Sequence, residues 1–571
     1  MKYRAGSLVP ALLYAGALLP SVGAVDPLVD LGYTKLQGVA EQIGVTQWLG
    51  VRFAAPPLGQ LRFAAPVDPQ PTTDVVDATK FQPICLSRQP SDFTNKPNKR
   101  FTVAEDCLFL NIFAPSNATR DAKVPVMYFI QGGGFQSNSN ANFNASDLAK
   151  FGGIVVVQVN YRVGPFGFLQ SREVQSGGSL NVGLKDQIQG LKWLQAHIAT
   201  FGGDPNRIVA AGDSAGATSI ALLLAAFAEK DPGYIKGAIL ESPSVATIRT
   251  LEQGQEQYNC LLNATRCTGA PDTLACLRAV NATALQTEQC QFNPGLDNDL
   301  IKNSMLSNFD NGRYLKIPVI AGTCTDEGTK NVPQNTNTTA QALKFVNDQA
   351  FDVLTNNSLG MVNQVYISPA QPVFPNSGAK WRQLANAHGD FRAHCITARL
   401  QNALARDGVK TYNYRYAVLD PEQETLGFGA YHTVELNGVF GPNNTDGAPP
   451  KSYFTSNAAI VPITMAYWTS FVKTLSPNEQ KIPGTPDWLP WTGPDDRSRL
   501  RFQTNNTLME KMNETQKANC EMFDPMLPAI EEPQVVRFVQ LNKPGVATNT
   551  SWAVIPGNTL RIYKKETSII L

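Results

Sequence analysis

Short runs of consecutive apolar residues recur along this chain at intervals that leave room for a helix between them. Residues 124–130 (VPVMYFI), 154–159, 208–211 and 237–240 are such runs, and each reads as a strand buried on both faces. Residues 183–199 carry a helical pattern, and the stretch from Ala215 is apolar and helix-forming. Two later strands are expected at 317–321 and, by alternation, at 410–417 (KTYNYRYA). Strands alternating with helices over this distance predict an α/β fold with a large, mostly parallel, doubly wound central sheet flanked by helices. Residues 105–113 alternate like a strand, while residues 50–66, dense in Pro and Gly, predict extended edge structure and turns. Two stretches, about 250–311 and 330–405, are expected as helical and loop insertions over the strand carboxyl ends, where pockets are usually built. Residues 533–571 hold strand-like pieces without a motif. No repeat, low-complexity segment or linker interrupts residues 25–571, so one domain is the economical expectation.

Composition narrows the class. With 43% apolar and 17% charged residues the chain is globular, and a formal net charge of +1 recruits it to neither nucleic acid nor anionic lipid. Residues 1–24 combine Lys2 and Arg4, an apolar run over 8–19 and a small-residue site at Val22, Gly23 and Ala24. This is the pattern of a secretory signal peptide, which predicts an extracellular protein starting near Val25. No segment approaches the ~20 apolar residues a membrane helix needs. Sequons for N-glycosylation occur at Asn117, Asn144, Asn263, Asn281, Asn337, Asn356, Asn443, Asn505, Asn513 and Asn549, all expected at the surface. Nine cysteines without a C-x-x-C pair fit an oxidising compartment and argue against a zinc or redox motif. Because the count is odd, at least one thiol is free or paired to another chain.

The chemistry centres on residues 207–224, RIVAAGDSAGATSIALLL. Gly212, Ser214 and Gly216 fit G-x-S-x-G, in which a serine at a sharp strand-to-helix turn is tolerated only between small residues. The run at 124–130 leads into Gln131, Gly132, Gly133, Gly134 and Phe135, where glycines let backbone N–H groups face a developing oxyanion. A serine needs a base, itself oriented by a carboxylate. Only His197, His388, His394 and His432 are available. His197 lies in the helix before the serine strand and reads as structural; His388 and His394 read as surface or packing residues. His432 lies in a Gly/Tyr-rich loop after a late strand, completing the order serine, acid, histidine. Glu327 or, as the alternative, Asp326 follows the strand at 317–321 and supplies the acid.

The segments EDCLFLNIF, QGGGF, NYRVGPFGFL, NVGLKDQ, FGGDP, GDSAGA, TDEG and AYHTVELNGVFG, in this order within a match that runs from about 30 to about 530, resemble the type-B carboxylesterase/lipase family, which includes the cholinesterases. The resemblance implies an α/β-hydrolase catalytic domain with Ser214 as nucleophile, His432 as base and Glu327 as acid, and with oxyanion donors at Gly133, Gly134 and Ala215. It further implies disulfides Cys85–Cys107, Cys267–Cys276 and Cys395–Cys520. Cys260 would then pair with Cys290, leaving Cys324 free. Arg62 with Glu105 and Arg162 with Asp186 resemble internal salt bridges of the family. No cofactor or metal is implied. Asp213 stands where many members have glutamate, Gln131 where histidine or tyrosine is commoner, and residues 86–106 lack the tryptophan that holds choline in cholinesterases. That stretch is short and polar, with Arg88, Asp92, Lys96, Lys99 and Arg100, unlike the amphipathic flap of family lipases. The expectation is therefore a secreted serine esterase, like those of fungi, for soluble small-molecule esters. A lipase for long-chain acylglycerols, a dedicated secondary-metabolite esterase or lactonase, and a non-catalytic binding protein are the alternatives.

Overall fold

The computed structural model describes residues 24–90, 100, 102–139, 141–245, 247–445 and 448–532, with the backbone of further strands between 537 and 570. Residues 1–23 of the expected signal peptide, the Asn549 sequon and the loop residues Asp92, Lys96 and Lys99 lie outside the described residues.

Eleven strands form the main sheet: β1 (Val39–Glu41), β2 (Val45–Arg52), β3 (Phe109–Pro115), β4 (Val124–Ile130), β5 (Val155–Val159), β6 (Gly203–Asp213), β7 (Gly237–Glu241), β8 (Val319–Cys324), β9 (Thr411–Tyr416), β10 (Ser498–Phe502) and β11 (Leu508–Lys511). Their spatial order is β11-β10-β9-β8-β7-β6-β4-β5-β3-β2-β1. From β5 to β10 every neighbouring pair is parallel, and the pairs at both margins are antiparallel. Residues 51 and 52 pair inward with β3, while β1 covers only Val45–Gln47 on the other side of β2, so this end of β2 lies at the sheet edge, as expected.

Apolar runs without alternation mark strands covered on both sides, and the packing shows it. Along β4, Val126, Tyr128 and Ile130 enter one core while Met127 and Phe129 enter the other; along β6, Ile208 and Ala210 oppose Val209 and Ala211. Helix α1 (Val182–His197) precedes β6 and α2 (Ala215–Ala226) follows it. Residues Ala215 through Leu224 of α2 are all buried, as befits a helix apolar on every side. The strands at Arg537–Val539, Ser551–Val554, Leu560–Lys564 and Thr567–Ile570 pair only with one another, in an antiparallel sheet. Among the described residues no helix is long and apolar enough to cross a membrane.

Candidate active site

Strand β6 ends at Asp213 and α2 begins at Ala215, which leaves Ser214 to make the whole reversal. It does so at φ +54° and ψ −122°, a conformation that costs a side-chain-bearing residue roughly 1–3 kcal/mol. The Ser214 N–H is held by the Glu241 carbonyl of neighbouring β7 at 2.7 Å. A Cβ on Gly216 would stand 2.0 Å from the Ile130 carbonyl oxygen, and one on Gly132 would stand 2.8 Å from the Ser214 Cβ. The glycines thus let the elbow press against the loop that leaves β4. In that loop Gly133 and Gly134 have φ of +114° and +61°. The Gly132 N–H is spent on Asp213 Oδ1 at 3.0 Å. Those of Gly133, Gly134 and Ala215 have no hydrogen-bond partner among the described residues. Gln131 braces the loop: its Nε2 donates to Asn138 Oδ1 at 2.6 Å and its carbonyl accepts from Tyr161 Oη at 3.0 Å.

At the end of β8 the two candidate acids part. Asp326 exchanges two hydrogen bonds with the Ala430 backbone, both 2.9 Å, and pairs with Arg382. It ties down the loop that carries His432 and does not itself face the ring. Glu327 does: Oε2 meets His432 Nδ1, while Oε1 accepts from the Cys324 N–H at 2.7 Å and from Ser242 Oγ at 2.6 Å. Burial opposes the charge of Glu327, but the His432 charge and hydrogen bond outweigh it and hold the carboxyl below its usual range. Burial likewise opposes charge on His432, and Glu327 outweighs that too, lifting the imidazole above its ordinary value. Nε2 is left as the free ring nitrogen, and His432 and Ser214 line one cavity of about 480 Å³.

Behind this pair lies a buried layer that sequence reasoning missed. The Cys324 thiol donates to Glu435 Oε2 at 2.8 Å, and Trp468 Nε1 donates to Glu241 Oε1 at 2.7 Å. Burial, partly relieved for Asp213 by His432 and aggravated for Glu435 by Glu327, pushes both carboxyls up to about 7. Burial also raises Glu241 well above its ordinary range, with Glu435 adding to it. The only hints in the sequence were polar residues at the end of an apolar strand (Glu241, Ser242) and one turn beyond His432 (Glu435). Cys324 is the free cysteine and is buried.

His388 and His394 are not surface residues, because helix α3 (Trp381–Gly389), the wide π turn Asp390–His394 and helix α4 (Cys395–Arg406) run through the interior. His394 Nδ1 sits 2.7 Å from Thr323 Oγ1. His388 packs against Phe345 and Phe391 and lines the cavity; burial, then the charges of Arg392 and His432, push it down to about 3. His197 packs against Tyr33 and Trp193, a structural place.

Of the two insertions expected to build the pocket, only the second reaches this cavity, through Lys330, Gln349, His388 and Arg392 among others. The first contributes no lining residue; it packs behind the glycine loop, where the Gln136 side chain donates to the Phe292 carbonyl and accepts from the Phe292 N–H. Disulfides join Cys85 to Cys107, Cys260 to Cys290, Cys267 to Cys276 and Cys395 to Cys520. Arg62 with Glu105 and Arg162 with Asp186 form buried bidentate pairs. Of the described sequon asparagines, Asn144 is half-buried, while Asn117, Asn263, Asn281, Asn337, Asn356, Asn443, Asn505 and Asn513 are exposed.

A parallel sheet bearing a strained serine elbow in one cavity with a carboxylate-bound histidine is the architecture of an α/β-hydrolase. The crystal structure of Aspergillus niger EstA superposes with a TM-score of 0.83 at 37% identity, covering 89% of this chain and 99% of that one. Residues 25–523 match the model of the carboxylesterase family, and the chain belongs to that family; its class of chemistry is ester hydrolysis. Among curated relatives, the para-nitrobenzyl esterase of Bacillus subtilis is 31% identical over 80% of this chain and 91% of its own. Secreted lipase 1 of Botryotinia fuckeliana is 30% identical over 78% of this chain and 83% of its own.

Proposed function

We propose that the protein is a secreted serine carboxylesterase that cleaves soluble carboxylic esters through an acyl-enzyme. The observation that carries the reading is the shared cavity of Ser214 and a Glu327-bound His432, beside three backbone N–H groups without partners. His432 Nε2 takes the proton of Ser214 as Oγ bonds to the ester carbonyl carbon. The oxyanion is received by the N–H groups of Gly133, Gly134 and Ala215, and losing one such donor costs on the order of 10²–10³ in turnover. As the tetrahedral intermediate collapses, the ester C–O bond breaks and His432 gives its proton to the departing alcohol. Water then repeats the sequence on the acyl-enzyme, releasing the acid and restoring Ser214. Glu327 holds Nδ1 protonated and offsets the imidazolium charge at both stages.

Secretion is supported by the leader pattern of residues 1–24, the four disulfides, the exposed sequons and the name of the Botryotinia relative. The polar stretch between Cys85 and Cys107 favours dissolved esters over a lipid phase. The test is hydrolysis of p-nitrophenyl butyrate beside Ser214→Ala. Turnover by the wild type and a fall of about 10⁴–10⁶ in the variant is expected; a folded variant that retains activity removes Ser214 from the chemistry. A rate that jumps only above the solubility limit of tributyrin would replace the esterase reading with a lipase.

A further inference from the structure

Two cations face the cavity of Ser214 and His432 without a carboxylate to answer them. Arg392 stands in the wide turn Asp390–His394, whose extra residue per turn rotates its side chain out of the register of α3 and α4 and into the cavity. Its guanidinium makes no hydrogen bond and no ion pair with any described residue, and its recorded contact is the Phe391 ring, 5.9 Å away. Elsewhere in the chain Arg62 is matched by Glu105, Arg162 by Asp186, Arg382 by Asp326 and Arg499 by Glu510; buried Arg249, over the Phe351 ring, likewise has no ion pair among the described residues, but it does not line this cavity. Burial lowers Arg392 only to about 10, so it stays charged at neutral pH. A partly desolvated cation left without a counterion is costly, and such a cost persists where a ligand supplies the missing charge.

Lys330 is the second. It is exposed at the cavity mouth, with Nζ 4.4 Å from the centre of the Phe428 ring and 4.2 Å from that of Tyr431, and it has neither ion pair nor hydrogen bond. The aromatic pair next to His432 is therefore already occupied by a cation of the chain itself and is closed to a substrate ammonium. The one carboxylate lining the cavity, Glu327, is engaged by His432, Ser242 and the Cys324 N–H. His388 beside Arg392 is neutral. The uncompensated charge presented to a substrate is positive.

We propose that the ester this enzyme is built to cleave carries a free carboxylate, seated between Arg392 and Lys330 while its ester carbonyl lies at Ser214. This rests on the serine esterase reading and names the substrate class within it. A planar guanidinium with open donors takes a carboxylate in two parallel hydrogen bonds, and Lys330 adds a point charge at the entrance. Half-esters of dicarboxylic acids are the simplest compounds of this kind.

The experiment compares methyl hydrogen adipate with methyl hexanoate, equal in chain length and differing by one ionised carboxyl, by methanol release at pH 7.5 and low salt. The wild type is expected to favour the anionic ester in kcat/KM by roughly 10- to 100-fold, mainly through KM, with the preference shrinking as salt is added. Arg392→Gln and, separately, Lys330→Gln reduce the ratio of the two esters, and Arg392→Glu inverts it. A wild-type enzyme that cleaves both esters equally, or favours the neutral one, overturns the substrate assignment and leaves the esterase reading standing. Wild-type protein that cleaves neither of these esters nor p-nitrophenyl butyrate brings both down. Retention of the anionic preference in the two Gln variants, each melting as the wild type does, also overturns it.

Discussion

Replacing Glu327 by Gln removes a charge without changing volume, and the surrounding donors decide how the amide sits. Oε1 accepts from the Cys324 N–H at 2.7 Å and Ser242 Oγ at 2.6 Å, so the amide oxygen stays there and the NH2 turns to His432. A donor now faces Nδ1. The imidazole must adopt the tautomer with Nδ1 bare and Nε2 protonated, and in that form it cannot take the proton of Ser214. Flipping the amide restores the tautomer but sets the NH2 against the Cys324 N–H, leaving a buried donor unsatisfied at about 1–3 kcal/mol, while the Ser242 hydroxyl can turn and accept from the NH2. Either route puts kcat/KM about 10³–10⁴ below the wild type, roughly 4–5.5 kcal/mol in the barrier. The assay is p-nitrophenyl butyrate hydrolysis from pH 6 to 10, with a thermal melt to establish folding. Because Glu327 lifts His432 above its ordinary 6.5 and only the neutral ring is a base, the acid limb of the wild-type profile lies above pH 6.5. Folded Glu327→Gln within tenfold of the wild type, or Asp326→Asn falling further than Glu327→Gln, would refute the assignment of the acid.

Gly216→Ala drives a methyl to 2.0 Å from the Ile130 carbonyl oxygen and 2.7 Å from that of Gln131, both backbone; we expect more than about 2 kcal/mol of destabilisation in a urea melt, against near-neutrality if the elbow can relax. Glu531 is buried against the N–H groups of Met305 and Leu306 at 2.8 and 2.9 Å, and burial raises its folded value to about 8 from an ordinary 4.5. The folded state thus binds this proton more tightly than the unfolded state. Its contribution is full below pH 4.5 and is lost as pH rises through 8, up to roughly 5 kcal/mol. Glu531→Gln should narrow the difference in Tm between pH 5 and pH 8.5, and an unchanged difference would exclude this origin. Removing Cys395–Cys520, which spans 125 residues, should cost about 4–5 kcal/mol, and removing the nine-residue Cys267–Cys276 under about 3; melts of the two Cys→Ser pairs in the reverse order would contradict chain entropy as the cause.

What the sequence determined by itself is what a few consecutive residues dictate. A strand covered on both faces must be apolar throughout, so β4, β5, β6 and β7 announced themselves, and with them a parallel sheet. A serine forced to positive φ between a strand and a helix needs small neighbours, so Ser214, Gly212 and Gly216 could be read as a unit, and the glycine loop after β4 likewise. The motif order also singled out His432 among four histidines. The residues alone left Asp326 beside Glu327 and only the family resemblance favoured Glu327; the tertiary structure shows that it is Glu327 that meets His432. The two are adjacent, and which one meets a ring 105 residues away depends on Arg382 and Ala430 claiming the other. Only the fold placed Ser242, Glu435 and Cys324 behind the acid, because burial is set by distant strands and leaves no local pattern in the sequence. The same holds for Arg392: one extra residue in a helical turn changes the direction of a side chain by far more than its neighbours reveal. Local backbone requirements are written in local sequence, whereas the partners of a buried charge are chosen by packing across the sheet.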